Sequence, residues 1–97
     1  MAWWNWFRKK SVPPVPIYFL RQGSNGSAVK QLQHCLNLAM ARKRVKEDGV
    51  FGKETLLALE IFQVRSHLKI DGVYGPLTAD ALERRLKEKT KIKKIGT

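Results

Sequence analysis

The phrase DGVFGKETLLAL begins at Asp48 and DGVYGPLTADAL begins at Asp71, so one frame is written twice, 23 residues apart. Asp-Gly is a tight-turn pair: glycine accepts positive φ, and the aspartate side chain can take up backbone N–H groups two or three residues on. The pair that follows, Val50-Phe51 or Val73-Tyr74, supplies one side chain for a core and one aromatic for its edge. A second glycine, Gly52 or Gly75, lets the backbone fold closely over the start of a helix. In the second copy Pro76 takes the first helical position, where its fixed φ suits the helix and its missing N–H is no loss. Thr55 with Ala58 and Leu59, and Thr78 with Ala81 and Leu82, then share one helical face. These patterns predict helices from Lys53 to about Ser66 and from Pro76 to about Lys89.

Upstream, RQGSNGS (21–27) is turn chemistry, with Ser27 placed to cap a helix from Ala28 to about Ala41. Val29, Leu32, Leu36 and Ala39 recur at helical spacing, with Cys35 beside them. The fold class is therefore all-α: three short helices in a compact domain with two repeated Asp-Gly loop-helix units. Ninety-seven residues and 43% apolar content suffice for one modest core. Cys35 is the single cysteine, so no internal disulfide staples that core, and the residue reads as a small core side chain.

The net charge of +11 gathers at the ends. Residues 1–12 carry +3 and residues 87–97 carry +4, leaving +4 for everything between. A nucleic-acid reader would converge its basic residues on one helix face, so nucleic acid explains only the charge and is not an expected partner. The start, MAWWNWFRKK, holds Trp3, Trp4 and Trp6. It has no recognisable cleavable signal pattern, and about seven apolar residues fall well short of the roughly 20 that span a bilayer. Tryptophans followed by cations suit a membrane interface, and they equally suit an arm folded back on the domain. SVPPVPIYFL, with three prolines in four positions, is an extended strap behind the arm. The chain divides into an arm and strap (1–19), a helical domain (20–88) and a basic tail (89–97).

Each Asp-Gly loop delivers the chain to a helix N-terminus, whose free N–H groups favour carboxylates or phosphates, and an adjacent aromatic offers a stacking surface. Two such units make a shallow groove suited to a polymer. Catalysis finds little material. His34 and His67 stand on different helices outside any metal-ligand spacing, and Asp48 and Asp71, imagined as a glycosidase pair, are used by their turns. No enzymatic activity, cofactor or metal is expected.

LRQGSNGSAVKQLQHCLN, DGVFGKETLLALEIFQ and LKIDGVYGPLTADAL together resemble the type-1 peptidoglycan-binding domain, the three-helix module of cell-wall hydrolases and phage endolysins. Leu32-Gln33, Phe62-Gln63 and both Asp-Gly turns come in that family's order, and the likeness runs from about Leu20 to Leu86. It implies non-catalytic binding of bacterial peptidoglycan, at the cell wall or periplasm or on a phage virion. The matching ligand surface is Asp48, Gly49, Phe51 and Gly52 in the first loop, Asp71, Gly72, Tyr74 and Gly75 in the second, and Gln63 at the end of helix two. Two features depart from the family. His67 stands where glycine often ends the second helix; either the helix closes less tightly or the histidine itself adopts the left-handed conformation. Leu57, Ile61 and Val64 form a second apolar stripe where polar residues are usual. The N-terminal strap and its tryptophans are the expected cover for it; a protein partner or self-association is the alternative, as in a structural or adaptor component of a virion or envelope assembly.

Overall fold

The computed structural model describes residues 14–16, 19–41 and 45–95, with side chains as far as Lys89. The tryptophan arm and its expected contacts lie outside the described residues. Three helices follow in order: α1 (Ser27–Met40), α2 (Lys53–Arg65) and α3 (Pro76–Ile95). Among the described residues there is no strand, only two isolated antiparallel bridges, Leu20 with Tyr74 and Asn25 with Val50. The all-α, three-helix expectation is met.

α1 is the central element and packs against both α2 and α3. Its apolar positions predict why: Val29, Leu32, Cys35, Leu36 and Ala39 fall on one face, and all are buried. Leu59 and Phe62 from α2 and Leu82 and Leu86 from α3 close on that face. Each fully buried leucine contributes about 1.5–3 kcal/mol, so this small set carries most of the stability of a chain with no disulfide. Burial also pushes the Cys35 thiol up to about 11, which leaves it protonated and inert at neutral pH.

Helix boundaries differ from expectation at two points. Ser27 does not cap α1: it is the first helical residue, Gly26 is the N-cap, and no side chain caps the end. The helix start is set instead by backbone pairing, since Gly26 N–H donates to Gly49 O at 2.9 Å while Gly26 O accepts from Lys30 N–H. α3 runs to Ile95, six residues past its expected end. Three lysines, good helix formers, stand in that stretch, and no glycine or proline interrupts it before Gly96.

The end of α2 answers the question posed by His67. Its φ is 59°, in the left-handed region. His67 N–H donates to Val64 O at 3.1 Å and Leu68 N–H to Gln63 O at 2.9 Å, the paired bonds of a Schellman turn. The histidine thus performs the turn that glycine usually makes.

The described part of the strap takes a different course from the one expected. Pro14 O accepts from Gln31 Nε2 at 2.8 Å and lies 3.6 Å from Cys35 Sγ, and Pro16 O accepts from Tyr74 Oη at 2.7 Å. Residues 14–16 therefore lie against α1 and the second loop. Leu57 and Val64 remain exposed, and Ile61 turns partly into the core rather than sharing their face.

Candidate functional site

Two buried glutamines organise the two loops. Gln33 on α1 donates through Nε2 to Asp48 Oδ1 (3.2 Å), Val50 O (3.0 Å) and Thr55 Oγ1 (2.9 Å), while its Oε1 accepts from Gly49 N–H at 2.9 Å. Gln63 on α2 repeats the set: Asp71 Oδ1 (3.1 Å), Val73 O (3.1 Å) and Thr78 Oγ1 (3.3 Å) accept, and Gly72 N–H donates at 3.2 Å. Each amide ties the preceding helix to a loop and to the first turn of the next helix. The threonine at the third helical position is buried because it completes this node.

The aspartates close their turns as expected. Asp48 Oδ1 accepts from Val50 N–H and Asp71 Oδ1 from Val73 N–H, both at 3.0 Å. The Val50 N–H, then the Gln33 amide, hold Asp48 below the usual carboxylate range. The Val73 N–H does most to lower Asp71, with Gln63 assisting. Both side chains are exposed, and the second oxygen of each carboxylate has no hydrogen bond among the described residues. Beside the first loop, Asn37 Nδ2 and His34 Nδ1 reach Glu47 at 3.0 and 3.2 Å, and the Asn37 bond is the main cause of its lowered pKa.

The glycines have separate duties. Gly49 and Gly72 have φ of 79° and 68°, and a Cβ on Gly72 would sit 2.8 Å from Leu56 Cδ1. Gly75 leaves room for Phe19: a Cβ there would sit 2.8 Å from the ring.

A second device aligns the loops with each other. Leu20 exchanges both backbone hydrogen bonds with Tyr74, at 3.0 and 2.8 Å. A few residues on, Gly23 N–H donates to Phe51 O and Phe51 N–H to Ser24 O, both at 3.0 Å. The segment 20–26 is thus paired with both loops in turn.

That pairing reverses the expected roles of the Val-aromatic pairs. Phe51 is 1% exposed and Tyr74 fully buried, while Val50 is 57% exposed. Alternation along an extended, paired backbone sends the aromatic inward and the valine outward. Neither ring forms the edge surface expected of it, and the Tyr74 hydroxyl is occupied by Pro16 O. Gln63 likewise lies inside the node, with no outward polar atom to offer. The aromatic that does stand at this edge is Phe19, 71% exposed beside Gly75. Phe19 sits in a proline-rich strap, outside the repeat, and nothing in the repeat points to it.

Residues 25–82 match the model of the peptidoglycan binding domain family. The chain belongs to that family. Among solved structures, the peptidoglycan-binding domain is similar to the SleB N-terminal domain, at 33% identity over 71% of this chain and 93% of that one, with a TM-score of 0.66. It is also similar to a peptidoglycan-binding protein from Clostridioides difficile in complex with glutamine hydroxamate, at 35% identity and TM-score 0.66. That match covers 71% of this chain and 42% of the other. No curated protein matches the chain. The matched 25–82 span contains both glutamine nodes of the domain and ends at the core residue Leu82. Among the described residues, no group of three or more His, Cys, Asp or Glu is placed to hold a metal ion, and no helix is long and apolar enough to cross a membrane.

Proposed function

We propose that the domain, residues 20–88, binds bacterial peptidoglycan without catalysis, on the face where both Asp-Gly loops are paired with the segment 20–26, and so anchors an associated protein or particle to the cell wall. The observation that carries this reading is the duplication of the node: two equivalent turns, aligned by one backbone segment, each with an exposed carboxylate oxygen left over. Those oxygens suit donors, which glycan hydroxyls and stem-peptide N–H groups supply at intervals. Phe19 adds an apolar ring against which a sugar face stacks. Gly49, Gly52, Gly72 and Gly75 keep the main chain low at this face, while Phe51, Tyr74 and Gln63 support it from beneath. Family membership supplies the polymer.

Sedimentation with purified sacculi tests the reading. Wild-type chain is expected in the pellet at low and moderate salt, and chain left in the supernatant at both would sink the proposal. Phe19→Ala and the double variant Asp48→Asn with Asp71→Asn are expected to lower retention while keeping the fold, because asparagine preserves the oxygen that closes each turn. Phe51→Ala and Tyr74→Ala are expected to unfold the domain rather than to weaken binding selectively.

A second reading, adaptor function through a protein partner, draws on Leu57 and Val64, which stand exposed on α2. It is compatible with the first, since a wall anchor needs something to hold.

A further inference from the structure

At the end of α2 remote from the first loop, Arg65 meets Arg84 and Arg85 of α3 around a cleft of about 210 Å³, completed by Ser66, Ala81 and Glu88. Its lining holds three arginines and a single acidic residue. Arg84 lies 4.0 Å from Asp80, with both side chains 71% exposed, a pairing too solvated to hold the group in place. Arg65 and Arg85 have no ion pair among the described residues. Arg65 is not needed to cap its helix either. Phe62 O, Gln63 O and Val64 O at that end already accept from Ser66, Leu68 and His67 N–H. Gathering three like charges around a concavity is unfavourable on its own, and an anion bound between them reverses the sign. The guanidinium is a planar fork of donors that fits two oxygens of one phosphate or carboxylate, and the Ser66 hydroxyl adds a neutral donor at the wall of the cleft.

We infer that this cleft is an oxyanion site, which takes the phosphodiester or carboxylate groups carried by wall polymers and gives the domain a second, electrostatic grip on them. The identity of the polymer rests on the function proposed above; the oxyanion chemistry rests on the cleft alone.

Two experiments separate these layers. In the first, isotope-labelled full-length chain is titrated with inorganic phosphate at constant ionic strength and followed by NMR. Saturable shifts are expected at the Arg65, Arg84 and Arg85 side chains and at the Ser66 amide. Each of R65Q, R84Q and R85Q is expected to weaken phosphate binding about 5-fold, as befits exposed ion pairs, and the triple variant to abolish it at unchanged melting temperature. Shifts that do not saturate, that chloride reproduces, or that survive in the triple variant would overturn the site. The second experiment measures retention on sacculi before and after hydrofluoric acid strips phosphodiester-linked polymers. Loss of retention by the triple variant on untreated sacculi alone assigns the phosphodiesters, and loss on both assigns stem-peptide carboxylates. Wild-type retention of the triple variant on both removes the wall polymer as the ligand. If the wild-type chain itself stays in the supernatant, the proposed function falls, and the phosphate titration still decides the cleft.

Discussion

At the scale of single residues, Gln33 and Gln63 matter most, because each satisfies a glycine N–H, a valine carbonyl, a carboxylate and a threonine hydroxyl with one amide. Replacing either with leucine keeps the volume and strands the buried glycine N–H and threonine hydroxyl, which water reaches poorly. Buried groups left unpaired cost about 1–3 kcal/mol each. Gln33→Leu and Gln63→Leu are therefore each expected to lose about 2–4 kcal/mol in urea unfolding, a large share of the stability of a small domain. A loss below about 0.5 kcal/mol would mean that the loops hold themselves. These nodes were only partly legible in the sequence. The Asp-Gly turns and both threonines stand at the same offsets in the two copies, but the glutamine precedes its aspartate by 15 residues in one and 8 in the other. In the sequence both glutamines stand out only as partners of Leu32 and Phe62 in the family resemblance, and only the packing of one helix against the next loop shows what they bond.

At the scale of elements, the three helices and most of their buried faces followed from apolar spacing, because that spacing is local. What the sequence obscured depends on partners distant in the chain: the glycine cap of α1, set by Gly49, and the inward aromatics, set by pairing with residues 20–24. The His67 turn allows an improvement. A non-glycine residue in the left-handed region costs roughly 1–2 kcal/mol, whereas glycine adopts it freely. His67→Gly is expected to stabilise the domain by about 1 kcal/mol and raise its Tm by roughly 4–8 °C; an unchanged or lower Tm would show that the imidazole contributes something the turn does not. The loops also predict the acid limb of stability. Asp48, Asp71 and Glu47 are held below their ordinary values of 3.8, 3.8 and 4.5 in the folded chain. Their contribution is full above those values and is lost as pH falls through the lowered folded ones. The urea midpoint should therefore hold steady from neutral pH to about 5 and drop below about 4, with a shallower drop in the Asp48→Asn, Asp71→Asn double variant.

At the scale of the whole molecule, a single thiol reports on everything. Cys35 lies at the contact of α1 with the strap, fully buried, its thiol pushed up to about 11. Its modification by a thiol reagent is expected to follow global opening, with the free energy from labelling equal to that from urea unfolding; faster labelling would reveal a local opening of the strap. The bridge between Leu20 and Tyr74 has a mechanical meaning as well. A load pulling on whatever precedes Pro14 meets the Gln31 bond on α1 first, then the Tyr74 hydroxyl at Pro16 O, and then the two backbone bonds between Leu20 and Tyr74. If the loop face holds the wall, tension on the N-terminal side is shared between α1 and the second loop, and three of the hydrogen bonds that bear it end at Tyr74, beside the point of attachment.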